Sequence, residues 1–132
     1  MPQKSKSAKT RIYVAGPWVD RDQARHMATR LTEAGFEVTS RWLRDHGDST
    51  DPLVLRREAQ ADWDDVKSAD VLVVLNIRKS EGKATEQGLA LAHGKKIIGV
   101  GLPGNNIFHH LPHYTWVNDS VGVINTLNDP NF

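Results

Sequence analysis

Val71-Leu72-Val73-Val74-Leu75, then, after a polar break, Ser80-Glu81-Gly82-Lys83-Ala84-Thr85-Glu86-Gln87-Gly88 running into Leu89 to Gly94, is the stretch that decides how this chain folds. Five consecutive β-branched or leucine residues with no polar alternation predict a strand covered on both faces, as in the middle of a parallel sheet. The glycine-bearing turn and the helical pattern after it complete a strand–turn–helix unit, and open α/β sheets take their ligands at the carboxyl ends of such strands. Glu86 falls in the first turns of that helix, where backbone N–H groups and the helix dipole favour an ionised carboxylate, a state that suits a nucleophile better than an acid. Taken alone, the same carboxylate also fits an acidic residue that merely offsets the dipole. Glu81 reads as solvent-facing.

Working outward, Ile12 to Ala15 is a short apolar strand that stops at Gly16-Pro17. Ala24, Met27, Ala28 and Leu31 then recur at helical spacing until Gly35 caps the helix, and Phe36 to Thr39 makes a second strand. A long loop follows from Ser40 to Thr50, rich in Arg, Asp, Gly and Trp, before Asp51-Pro52 supplies an N-cap and first residue for a helix to about Lys67. Lys96 to Val100 predicts a fourth strand, Tyr114 to Val117 a fifth and Ser120 to Leu127 a last helix. Strands alternating with helices imply stacked βαβ units: an α/β, flavodoxin/Rossmann-like three-layer sandwich with a five-stranded parallel sheet in the order 2-1-3-4-5. In that order the loop after strand 1 (Gly16 to Arg21) and the turn after strand 3 (Ser80 to Glu86) face one crevice. The expected organisation is a flexible basic lead-in over residues 1–10 and a single catalytic domain over 11–132.

Composition narrows the function classes. The 132 residues are 39% hydrophobic and 25% charged, enough for one domain with a buried core. The formal charge is +1, but Lys4, Lys6 and Lys9 lie in the first ten positions, which leaves fourteen basic against sixteen acidic residues from 11 to 132, a net −2. A nucleic-acid partner therefore gains no support from the body of the chain. The absence of cysteine excludes disulfides, thiolate catalysis and Cys-type zinc sites and fits a reducing compartment. No apolar stretch approaches the roughly 20 residues of a membrane helix, and the N-terminus lacks the apolar region of a signal peptide. The expected setting is soluble and cytoplasmic, with no membrane partner.

Asp62, Asp64 and Asp65 lie on the helix before strand 3. Leu55, Ala59, Trp63 and Val66 define its expected buried stripe, so Asp62 borders that stripe and is the carboxylate expected to reach a pocket, while Asp64 projects away. All three also fit solvated helix charges. Trp18 and Trp42, on loops at the carboxyl edge of the sheet, are placed to stack on a planar ligand, and Arg21, Arg41 and Arg44 to meet a phosphate or carboxylate; covering of loop edges is the alternative. Neither G-x-G-x-x-G nor G-x-x-x-x-G-K-[ST] occurs, which removes a dinucleotide fingerprint and a P-loop. His109, His110 and His113 cluster in an Asn/Pro-rich loop without an HExxH helix, so no metal and no organic cofactor is expected.

The ordered set Ile12-Tyr13-Val14-Ala15-Gly16-Pro17, then Asp62 shortly before Ala69-Asp70, then Ser80 and Glu86-Gln87-Gly88-Leu89-Ala90-Leu91-Ala92-His93-Gly94-Lys95, resembles the nucleoside 2-deoxyribosyltransferase superfamily, which includes the 2′-deoxynucleoside 5′-monophosphate N-glycosidases. The likeness runs from about Arg11 to Lys96, with Asn106-Ile107-Phe108 and Leu111-Pro112 similar to a loop of short relatives. The resemblance implies that Glu86 attacks C1′ of the sugar, that Asp62 serves the leaving base and that Tyr13 positions Glu86. The candidate substrate contacts are Gly16, Trp18, Arg21, Trp42, Ser80 and Gly82, and the resemblance implies a homodimer or larger assembly in which a neighbour helps complete the site. Ser80 points to the monophosphate hydrolases, because the transferases carry an acid there, which would repel a phosphate. Pro17 stands where the family has a phosphate-binding serine, and Ala84 where it has a second glycine. The resulting expectation is hydrolysis of the N-glycosidic bond of a (deoxy)nucleoside 5′-monophosphate, with base exchange by a 2-deoxyribosyltransferase and a non-catalytic nucleotide-binding module as alternatives.

Overall fold

A computed structural model describes residues 9–132; the lead-in expected over residues 1–10 lies, from 1 to 8, outside the described residues. The elements are β1 (Arg11–Ala15), α1 (Arg21–Glu33), β2 (Glu37–Val38), α2 (Trp42–Asp45), α3 (Pro52–Ser68), β3 (Val71–Leu75), α4 (Glu81–Ala92), β4 (Lys96–Val100), β5 (Tyr114–Val117) and α5 (Ser120–Asn128), with single 3-10 turns at Trp18–Asp20 and Ile107–His110. All strand pairs are parallel and the order is β2-β1-β3-β4-β5, as the alternation of strands and helices predicts. α3 packs against α4, and α1 against α5, so the sheet is the middle of three layers. Among the described residues no helix is long and apolar enough to cross a membrane.

Burial follows position in the sheet. Every residue of β3 is buried, whereas β5 at the edge is only half-buried and β2 at the other edge has just two residues. Each buried aliphatic side chain of this size contributes roughly 1.5–3 kcal/mol of transfer free energy, which makes β1, β3 and β4 the platform for the rest. The helix ends are set locally. Asp51 accepts the Leu53 N–H with Pro52 behind it, starting α3. α1 and α4 both stop in a left-handed glycine: Gly35 and Gly94 have φ of 96° and 68°, and Phe36 and Lys95 return N–H bonds to Leu31 and Ala90.

Two expectations are corrected. The loop from Ser40 to Thr50 contains α2, whose Trp42 and Leu43 are buried. On α3, Leu55 and Trp63 are 47% and 49% exposed and Ala59 is exposed, while the inward face carries Glu58, Asp62, Asp65 and Val66. The apolar spacing misleads there because the inner side of α3 adjoins α2 and turns its carboxylates, and of that stripe only Val66, toward the protein. Asp65 is buried and accepts hydrogen bonds from the Arg41 backbone N–H and Nε at 3.0 Å.

Gly99 of β4 leaves room for the Trp116 ring of β5: a Cβ at position 99 would lie 2.4 Å from Trp116 Cε3. The ring cannot swing away freely, since it is stacked on Tyr114 at 5.8 Å, touches His109 at 5.1 Å and donates its N–H to the His109 carbonyl. Gly99→Ala is expected to lower unfolding stability by about 1–3 kcal/mol through overpacking, read as a lower denaturation midpoint at unchanged m-value.

Candidate active site

The sheet delivers one phenol and the helices two carboxylates to the same place. Tyr13 of β1 is fully buried, and its hydroxyl donates a hydrogen bond to Glu86 Oε2, the sixth residue of α4. Asp62 comes from the inward face of α3. Asp62 and Glu86 line a cleft of about 240 Å³ together with Ala59, Trp63, Gly82, Thr85 and Leu89. Gly82 thus belongs to the wall of the cleft, while the half-exposed Trp63 stands at its rim.

The electrostatics differ from the expectation of an ionised Glu86 held by the helix dipole. Glu86 lies beyond the first turn of α4, where the dipole has faded, and burial dominates: its pKa is pushed up to about 8, with Tyr13's hydrogen bond opposing and Asp62 adding to the rise. Burial also raises Asp62 to about 7, helped by Asp65 and Glu58 and opposed by Arg41. Burial, aided by Glu86 and Asp62, drives the Tyr13 phenol far upward, so it remains the donor. Burial thus holds both carboxyls toward their protonated forms, well above the usual carboxylate range.

The remaining predicted residues divide. Gly16 packs its α-carbon towards Leu75 and Ala24 and stands outside this cleft. Trp42 is 5% exposed and donates its indole N–H to the Val14 carbonyl at 2.8 Å, which makes it a core residue and not a ligand platform. Trp18 is half-buried, donates to Asp48 and carries the Arg21 guanidinium over its ring at 4.5 Å; Arg21 also donates to the Trp18 carbonyl. Ser80 is the N-cap of α4, accepting the Lys83 N–H, and lines an adjoining 650 Å³ cavity with Arg78 and His109. Lys83 is 4% exposed and its Nζ donates to the Leu75 and Arg78 carbonyls and Asn76 Oδ1, so it pins the end of β3 and is not free to meet a phosphate. Among the described residues no group of three or more His, Asp or Glu is arranged to hold a metal ion.

Three polar contacts near the site were not anticipated from the residues. The buried Asp20, in the turn after β1, accepts Arg78 Nε at 2.7 Å and Nη2 at 3.1 Å, tying together the two loops that flank the sheet's switch point. Arg41 is held on Asp65. His46, after α2, places Nε2 3.3 Å from Asp62 Oδ1 and Nδ1 3.5 Å from Glu58 Oε2. The spacing of Glu58 and Asp62, four apart on one helix, was the available signal that they share a face.

The sequence matches the nucleoside 2-deoxyribosyltransferase family over residues 12–120. No curated protein matches it. Among solved structures, the chain is similar to the CMP N-glycosidase BcmB of Clostridium botulinum, with 22% identity and a TM-score of 0.62, covering 90% of this chain and 98% of that one. It is also similar to a 2-deoxyribosyltransferase of Bacillus psychrosaccharolyticus, with 20% identity and a TM-score of 0.70, covering 88% and 91%. At those identities the two structures speak to the fold.

Burial of Glu86 has a consequence for stability. With a folded-state pKa of about 8 against the model-compound value of 4.5, the folded protein binds the proton more tightly than the unfolded chain. The contribution is therefore fully present below pH ~4.5 and is lost as the pH rises through 8. Glu86→Gln, which mimics the protonated form, is expected to be more stable than the unmodified protein by about 3–5 kcal/mol at pH 8.5 and nearly equal to it at pH 4.5, read from urea denaturation at both pH values.

Proposed function

Since the chain belongs to the nucleoside 2-deoxyribosyltransferase family, we propose that it is an N-glycosidase that hydrolyses a (deoxy)nucleoside 5′-monophosphate to free base and sugar 5-phosphate. The observation that carries the reading is the cleft itself: Glu86 held by the Tyr13 hydroxyl, with Asp62 on the opposing helix lining the same 240 Å³. In the first step a Glu86 carboxylate oxygen bonds to C1′ as the C1′–N bond breaks, and the departing nitrogen takes the Asp62 proton. In the second, water attacks C1′, its proton passes to Asp62, and Glu86 leaves as a carboxylate. The cationic sugar in the transition state favours ionised Glu86, which offsets the burial that raises its pKa. Tyr13 acts as a positioning residue for the carboxylate.

A neutral Ser80 beside the first N–H groups of α4 supports a phosphate on the substrate. Three observations favour base exchange instead: Ser80's hydroxyl is engaged as a cap, Lys83 is tied to the end of β3 and position 17 is proline. We also propose a homodimer. Exposed Ile107, Phe108 and Leu111, beside an apolar groove formed by Ala84, Gly88, Leu91 and Ala92 of α4, support it.

Incubation with each deoxy- and ribonucleoside monophosphate, and with deoxynucleosides plus acceptor bases, followed by chromatography, is expected to release free base from monophosphates alone; exchange between deoxynucleosides and acceptor bases would assign the transferase reaction. Glu86→Gln is expected to lose on the order of 10³-fold or more in turnover while still binding nucleotide, and Asp62→Asn about 10²–10⁴-fold. Binding without turnover by the unmodified protein would assign a nucleotide-binding module instead. Sedimentation of the intact chain is expected to give twice the 14.7 kDa monomer mass.

A further inference from the structure

His46 lies in the segment between α2 and α3, and its side chain is 11% exposed. Its two ring nitrogens face two carboxylates one helical turn apart: Nδ1 faces Glu58 Oε2 at 3.5 Å and Nε2 faces Asp62 Oδ1 at 3.3 Å. His46 Nε2 and Asp62 Oδ1 are both fully buried, and neither has a hydrogen-bond partner elsewhere. Two buried polar atoms of this kind, left unmet, cost about 1–3 kcal/mol each, so each is the natural partner of the other after a small rotation of the ring. Asp62 as a whole keeps 27% of its side chain exposed. With Oδ1 sealed against the imidazole, Oδ2 is the oxygen left to the cleft.

We infer that His46 is a positioning residue for Asp62: its Nε2–H donates to Oδ1, so the carboxyl proton resides on Oδ2, facing the leaving base, while the Glu58 side chain packed beside Nδ1 limits how far the ring can turn. The inference rests on the role given to Asp62 in the proposed reaction. Leaving-group protonation needs the acidic hydrogen on the correct oxygen as well as the correct charge state, and a carboxyl free to rotate presents it only part of the time. The charged and titrating groups around the pair are Glu58 on α3, Asp65 with Arg41 behind Asp62, and Glu86 with Tyr13 across the cleft. His46 touches neither the sugar nor the nucleophile in this arrangement, and its influence passes entirely through Asp62.

The test compares two leaving groups on the same sugar phosphate. One substrate is the nucleoside monophosphate cleaved best by the unmodified protein; the other is the 4-nitrophenyl glycoside of that sugar phosphate, whose phenolate departs without needing a proton. His46→Phe is expected to lower kcat on the nucleotide by about 10- to 100-fold with KM changed less than about threefold, and to leave cleavage of the nitrophenyl glycoside within about threefold. His46→Gln, which can still donate to Asp62 Oδ1, is expected to recover most of the nucleotide activity. Retained activity on the nitrophenyl glycoside also shows that the variants are folded. Equal losses on both substrates, or no loss on the nucleotide, would overturn the assignment while leaving the proposed reaction standing. An unmodified protein inactive on both would overturn the reaction itself, and this role with it.

Discussion

The hydrogen bond from Tyr13 to Glu86 joins the most deeply buried layer of the protein to the helix that carries its most perturbed carboxyl. Tyr13 is on β1, between β2 and β3 in the sheet, so its ring cannot move without disturbing the platform. A phenol kept neutral by burial is a fixed donor, and a fixed donor aimed at a carboxylate oxygen selects one orientation of that carboxylate.

The turn before α4 is tied into the protein by its own side chains. Lys83 reaches back to three acceptors at the end of β3, Ser80 caps the helix, and Arg78 crosses to Asp20 on the loop after β1. These contacts occupy side chains that otherwise invite a phosphate-binding interpretation. Burying charged groups costs several kcal/mol per ion unless they are paired, which is why the lysine and aspartate nearest the turn are engaged within the protein. On the other side of the cleft, Asp65 with Arg41 and Asp62 with His46 and Glu58 divide the acidic face of α3 between an ion pair and a carboxyl that lines the cleft.

The strands were legible because their signal is local. Val71 to Leu75, Lys96 to Val100 and Tyr114 to Val117 are each a short apolar run bounded by turn residues, and the caps at Asp51 and at Gly35 and Gly94 follow from backbone chemistry within a few positions. α3 was harder to read. Its apolar residues at 55, 59 and 63 repeat at helical spacing but stay exposed, Ala59 and Trp63 on the edge of the cleft, because the inner face of that helix carries Asp62 and the Asp65 that holds Arg41 instead of an aliphatic stripe. Trp42 was misread for a related reason: an aromatic in a polar loop resembles a ligand platform until the short helix α2 turns it into the core and gives its N–H to Val14.

The sequence by itself determined the parallel sheet, its order, the ends of α3 and α5 within a residue or two, and Glu86 and Asp62 as candidates, since periodicity, capping and motif spacing are properties of neighbouring residues; Tyr13 entered through the family resemblance alone. The tertiary structure alone decided the upward shift of the two carboxyl pKa values, the engagement of Lys83 and Ser80 as structural groups and the meeting of His46 with Asp62. Those outcomes depend on desolvation and on contacts between segments far apart in the chain. Both are set by how the layers pack, and neither is written in any one stretch of residues.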